Sequence, residues 1–144
     1  MTVRRRWNNS SGFTLVEMLA VVLIIAIVVT LAVANRPISP VARTRMNLII
    51  IRGAVNDFRG ATGQYPAASA DSKTLFTALQ GNEKSRAVLA TLPDGCIRNG
   101  GFMDGFDNYI RYFPDKGVGG GPLLESAGPD LNFANVGDNI RSDD

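Results

Sequence analysis

Glu17 is the one ionisable residue in an apolar run over residues 13–34, where 19 of 22 side chains are apolar and Thr14, Glu17 and Thr30 are the exceptions. Ionisable groups in such runs are costly to insert, usually paired and usually functional. The bland alternative is a glutamate that snorkels toward the headgroups from near the helix end. No cation lies within four residues of it in the uncut chain. Cutting between Gly12 and Phe13 would supply one, an α-amino group at the helix start that could meet Glu17 of a neighbouring copy inside the bilayer. A second set of chemical groups fills the tail, where Glu125, Ser126, Asp130, Asn132, Asp138 and Asn139 bring oxygen ligands into one loop. Such a loop is either a hard-cation site or a plain polar turn. It fails the EF-hand template: counted from Asp130, Ala134 stands where position five needs Asp or Asn, and Asn135 where the glycine belongs.

What is missing narrows the chemistry further. The sequence has no histidine, which excludes imidazole acid/base catalysis, Ser-His-Asp and Cys-His nucleophile systems and His-ligated zinc or haem. The single cysteine, Cys96, excludes an intrachain disulfide and a thiolate metal cluster, and reads as a small buried apolar side chain. No enzyme class is supported. The glycines lack the strand-GxxxxGK-helix context of a phosphate loop.

The elements that must position these groups follow from pattern. As a helix, residues 13–34 span about 33 Å, enough for a hydrocarbon core of about 30 Å. Secretory signals have shorter apolar cores, although Ala32-Val33-Ala34 has the small residues of a signal-peptidase site whose cleavage would release a soluble domain. Arg4, Arg5 and Arg6 precede the span and Glu17 lies in it; residues 35–144 carry 12 basic and 12 acidic side chains, so the net charge of +2 belongs to the N-terminus and argues for targeting, not for nucleic acid. Arg36, Arg43 and Arg45 follow the span closely, so charge bias alone leaves its orientation open. Pro37 and Pro40 predict a kink or loosened helix. Beyond them Leu48, Ile51, Val55, Phe58, Thr62 and Tyr65 recur at spacings of 3 and 4, one helical stripe expected to dock on the globular part. Ile49 and Ile50 lie off the stripe, facing neighbouring protomers or the core, and the helix should end near residues 60–63. A second helix, capped by Ser69 or Asp71, should run to about Gln80 and close at Gly81; residues 82–92 have no defined pattern. Residues 108–113 alternate as a strand, residues 117–121 form a glycine-rich turn, and residues 122–126 form a paired strand.

Ser11-Gly12-Phe13-Thr14-Leu15-Val16-Glu17-Met18, with basic residues before it and an unbroken apolar run after it, resembles the class III signal of type IV pilins and pseudopilins. The resemblance implies that a prepilin peptidase cuts after Gly12 on the cytoplasmic side and methylates the amine of Phe13, with everything after Ala34 facing outward. Tyr65-Pro66, a short helix, Met103-Asp104-Gly105-Phe106-Asp107-Asn108-Tyr109, then Ser126-Ala127-Gly128-Pro129-Asp130 and Asp138-Asn139-Ile140 together resemble the major pseudopilin of type II secretion systems. In that family the final loop binds calcium, which carries over to the carboxylates of Asp130 and Asp138, to Ser126 and to the Leu124 carbonyl. Leu131 stands where the family usually has Gly, and Phe106 where it usually has Trp.

The expected fold is α+β: a long N-terminal helix, transmembrane in its first half, packed on a small antiparallel sheet with a C-terminal loop. The expected division is a leader at residues 1–12, a transmembrane and filament-core helix at 13–34, a kinked amphipathic stem at 35–64 and a periplasmic domain at 65–144. The implied function is structural, not enzymatic: a single-pass protein of a bacterial inner membrane that assembles into a short filament driving protein secretion. Its implied partners are other copies, minor pseudopilins, the prepilin peptidase and an inner-membrane assembly platform. A type IV pilus subunit for adhesion, motility or DNA uptake is the alternative of the same class. A signal-anchored or secreted binding domain is the alternative of another.

Overall fold

Twenty consecutive residues of which Glu17 and Thr30 alone are polar form helix α1, Leu15–Ala34. Every residue of α1 is exposed, the opposite of what water favours for Leu, Ile and Val, and the helix is long and apolar enough to cross a membrane. Its one mid-helix hydroxyl is satisfied locally, Thr30 Oγ1 donating to the Ala26 carbonyl at 2.7 Å. The computed structural model describes residues 13–34, 37–68 and 70–143. The chain divides into two compact units between Pro37 and Ile38, so α1 belongs to the first and everything below to the second. The expected leader, residues 1–12, lies outside the described residues, as do Asn35, Arg36 and the candidate cap Ser69.

Helix α2, Pro40–Thr62, starts where proline is tolerated, at a helix's first turn. Ser39 caps it by accepting from Ala42 N–H at 3.2 Å. It stops at Gly63, which takes the left-handed conformation (φ 80°) and donates to the Arg59 carbonyl. The predicted stripe is the buried one at Leu48, Ile51 and Val55. Thr62 is exposed, whereas Thr44, Asn47 and Ala54 join the buried face. Ile49 is 70% exposed. Helix α3, Ser72–Gln80, is capped by Asp71, whose carboxylate accepts from Lys73 N–H and Thr74 N–H. Helix α4, Glu83–Leu89, occupies the stretch that had no predicted pattern; Asn82 caps it through Ser85 N–H, and the buried Ser85 hydroxyl donates to the Ala54 carbonyl of α2 at 2.9 Å.

Strands β1, Ile97–Arg98, and β2, Gly101–Phe102, form a hairpin. Asn99 (φ 50°) and Gly100 (φ 73°) make the turn, the Asn-Gly pair that a two-residue hairpin turn with both central φ values positive demands. Strand β3, Arg111–Phe113, pairs antiparallel with β4, Leu123–Ser126, in the register Tyr112↔Leu124, and β4 pairs with β5, Ile140–Arg141, in the register Ser126↔Ile140. The α+β class is as expected, and the helix packed on this sheet is α2, which meets β4 and β5. The core gathers Leu48, Ile51 and Val55 with Leu75 and Leu79 of α3, and with Phe102, Ile110, Tyr112 and Leu124. Each such side chain contributes about 1.5–3 kcal/mol by leaving water. Cys96 is buried and donates to Asn47 Oδ1 at 3.2 Å; burial pushes its thiol pKa up, so it behaves as a structural, unreactive thiol.

Candidate assembly and cation sites

Thr14 and Glu17 bracket the first turn of α1. Thr14 N–H and Thr14 Oγ1 both donate to Glu17 Oε2 at 2.8 Å, and Glu17 N–H donates back to Thr14 Oγ1 at 3.2 Å. This is a capping box, in which two of the helix's unpaired N–H groups are satisfied reciprocally. The Thr-x-x-Glu spacing ahead of an apolar run is its sequence signature, and reading Glu17 only against cations misses it. Among the described residues nothing donates to Glu17 Oε1. One carboxylate oxygen therefore closes the chain's own helix and the other is open to a neighbour. Phe13, the expected first residue of the processed chain, is 72% exposed; Gly12 lies outside the described residues.

Residues 7–33 match the family described as the prokaryotic N-terminal methylation motif. The N-terminal segment is a prepilin-type methylation motif. It supports the type IV pilin-like family, pilus and pseudopilus alike, and with α1 it fits a membrane-anchored single-pass protein. Processing by a prepilin peptidase and filament assembly come with this motif as general properties. No curated protein and no solved structure matches the chain.

The pilin-type segment ends before the tail, whose oxygens are arranged by two turns. Asp130 Oδ1 accepts from Asn132 N–H at 2.8 Å and Oδ2 from the Asn135 side-chain amide at 2.9 Å. The Asn135 amide and then the Asn132 N–H hold the Asp130 carboxyl below the usual carboxylate range. Asp138 is brought in by Gly128, which has φ 70° and so close an approach that a Cβ there would lie 2.2 Å from the Asp138 carbonyl oxygen. Asp138 Oδ1 and Asn139 Oδ1 are buried without hydrogen-bond partners, a state that buried oxygens seldom keep. The predicted carboxylates thus lie in one loop, and Asn139, one of the tail's oxygen ligands by sequence, adds a second orphaned acceptor there. Leu124 and Ser126 sit on β4. The Leu124 carbonyl accepts from Ser142 N–H at 2.9 Å. The fully buried Ser126 hydroxyl donates to Asp104 Oδ2 at 2.6 Å and accepts from Gly128 N–H. A carbonyl and a hydroxyl each have two lone pairs, so both retain one acceptor site. Among the described residues no three His, Cys, Asp or Glu side chains cluster to hold a metal. A cation here would rely on two carboxylates and neutral oxygens, a donor set that suits a hard ion such as calcium.

Leu131 adopts φ 57°. The left-handed region is strained for leucine and open to glycine, the residue that the resemblance leads one to expect at this position. Asp107, in the turn before β3, pairs with Arg98 at 3.1 Å. A cleft of about 190 Å³ lies beside the start of α3. Its cations, Lys73 and Arg111, already lie over the Tyr109 and Phe133 rings.

Proposed function

We propose that this chain is a pseudopilin of a type II secretion system: it is cut between Gly12 and Phe13, methylated on Phe13, and assembled through α1 into a short periplasmic filament. The observation that carries the reading is the methylation motif at residues 7–33 running into a fully exposed apolar helix whose Glu17 keeps one oxygen unclaimed. In a stack of such helices the Phe13 amine of one subunit would meet Glu17 Oε1 of the next, neutralising a charge that lipid disfavours. The positive amine at each helix start and the carboxylate one turn in would set the register between subunits. In this reading the prepilin peptidase and an inner-membrane platform act on the chain, minor pseudopilins join the filament, the second unit faces the periplasm, and the chain itself catalyses nothing and binds no nucleic acid. The secretion role, as against a pilus, is supported by the order of motifs from Tyr65 to Ile140.

Intact-mass analysis of membrane-extracted protein tests the processing. A chain beginning with methylated Phe13 is expected; a chain beginning at Asn35, or an uncut form in cells with active peptidase, overturns it. Glu17→Leu should insert normally and lose protomer crosslinking, and normal crosslinking would show the charge to be incidental. Deleting the gene should abolish export of secreted proteins and leave surface pili intact.

The tail in the same proposal is a calcium loop. Asp130 and Asp138 carry the charge, with Ser126 and the Leu124 carbonyl at its strand side. A loop with two carboxylates and a dissociation constant of about 10⁻⁴–10⁻³ M, as in extracellular modules, gains about 1.4–2.7 kcal/mol in 10 mM calcium by mass action. The melting temperature of the detergent-solubilised chain should rise accordingly, Asp130→Ala should abolish the rise, and Asp107→Ala should not. An unmoved wild-type melting curve would make the loop an ordinary turn.

A further inference from the structure

Asp104 is 1% exposed, and nothing in the proposed function uses it. A buried carboxylate is retained only with full compensation, and its partners come from two places. Oδ1 accepts from Phe106 N–H at 2.8 Å and Asn108 N–H at 2.9 Å within its own turn. Oδ2 accepts from the Ser126 hydroxyl at 2.6 Å, at the point where β4 enters the C-terminal loop. The next residue, Gly105, is clamped on the first turn of α2. Its N–H donates to Thr44 Oγ1 at 2.8 Å, its carbonyl accepts from Arg43 Nη2 at 2.9 Å, and a Cβ there would stand 1.9 Å from the Pro40 carbonyl oxygen. Thr44 Oγ1 donates in turn to that same carbonyl at 2.9 Å. On the other side, the Ser126 oxygen accepts from Gly128 N–H at 3.1 Å, and Gly128 abuts Asp138. An unbroken series of contacts therefore runs from the exposed Pro40 through the buried Thr44, Gly105, Asp104, Ser126 and Gly128 to the half-buried Asp138.

We propose that Asp104 is a positioning residue that clasps the C-terminal loop to the start of α2, so that the loop and the first turn of that helix order and loosen as one unit. Charge-assisted hydrogen bonds are about twice as strong as neutral ones. Satisfied polar networks in a low-dielectric interior also fix one arrangement of their members. The consequence is a conformational link between a loop and a helix turn far apart in sequence: whatever orders residues 127–139 steadies residues 40–46, and the reverse holds by thermodynamic reciprocity. Ser126 acts through Asp104 rather than on α2, since among the described residues its hydroxyl bonds only Asp104 and Gly128.

Hydrogen exchange of the full chain in detergent micelles, read by mass spectrometry, tests the link from both ends. Ser126→Ala removes the loop-side bond and no hydrogen bond to α2; exchange should accelerate about tenfold over residues 127–139 and, to a similar extent, over residues 40–46. Thr44→Val removes the helix-side acceptor and should accelerate residues 127–139. Residues 72–89, in α3 and α4, should keep wild-type rates in both. Asp104→Asn keeps an acceptor for the two N–H groups and offers an amide to Ser126, so it should retain most of the protection that Asp104→Ala loses. If Ser126→Ala accelerates only the loop, or Thr44→Val only the helix turn, the two are independent and the clasp is refuted. Equal acceleration everywhere would mean ordinary global destabilisation and would refute it as well.

Discussion

Gly105→Ala puts a single methyl group where the geometry leaves no room for one. The added Cβ would lie 1.9 Å from the Pro40 carbonyl oxygen, 2.6 Å from its carbon and 2.8 Å from Thr44 Oγ1. Non-bonded heavy atoms are most comfortable at about 3.5–4.0 Å, so the turn and the helix must part by about 1.5 Å. Both close atoms of Pro40 are backbone, and no rotamer change relieves the overlap. Parting stretches the 2.8 Å bond from Gly105 N–H to Thr44 and the 2.9 Å bond from Arg43 to the Gly105 carbonyl beyond hydrogen-bond range. Overpacking of this kind costs about 1–3 kcal/mol, and each buried group left unpaired adds about 1–3 kcal/mol. A total of about 3–5 kcal/mol is expected, in the range that marks a severe single substitution. For a unit of this size each kcal/mol is worth about 4–8 °C, so the melting temperature in detergent should fall by about 15–30 °C. Gly60→Ala is the matched control: Gly60 lies in α2 with nothing within 4 Å of its would-be Cβ, and alanine there should raise stability by about 0.5–1 kcal/mol. A Gly105→Ala melting point within a few degrees of wild type would refute the close packing of this turn on α2.

Leu131→Asn replaces a leucine held at φ 57° and 54% exposed with a residue that tolerates the left-handed region; stability should rise by about 0.5–1 kcal/mol, read as a higher melting temperature, and a fall would show that the leucine side chain holds the loop by contact. Thr14→Ala removes the hydroxyl that caps Glu17 N–H; exchange at that amide should accelerate about fivefold in micelles, and unchanged exchange would show the capping box to be idle. The Asp71 carboxyl is held below its usual range chiefly by the Thr74 hydroxyl and then by Lys73 N–H. Its contribution to stability is therefore complete above the unfolded-state pKa of about 3.9 and lost as pH falls through the lower folded-state value. Asp71→Asn should weaken this pH dependence, seen as a shallower fall in melting temperature below pH 4.

Helix α1 was legible in the sequence because its structure is local. A run of apolar residues forms a helix through hydrogen bonds within its own backbone, and the methylation motif is a linear signal. The end of α2 at Gly63 and the cap of α3 at Asp71 were legible for the same reason: caps are decided within one turn. The strand pair around the glycine-rich turn could be read because alternation survives over several residues. Strand β5, two residues long, carries too little pattern to be read, and α4 is a seven-residue helix docked on α2 through long-range contacts such as Ser85 to the Ala54 carbonyl, 31 positions away. The hairpin turn at Asn99 and Gly100 and the Thr14–Glu17 box had signals in the sequence that a search for charges and long alternation passes over. What only the tertiary structure decided is the role of Asp104, because burial and the approach of Ser126, 22 residues away, are properties of the folded chain. The same is true of the pairing of Asp138 with the loop through Gly128, and of Leu131 in a glycine's conformation. Sequence names the groups that can bond; which of them lose water together, and so have to bond, is settled by packing.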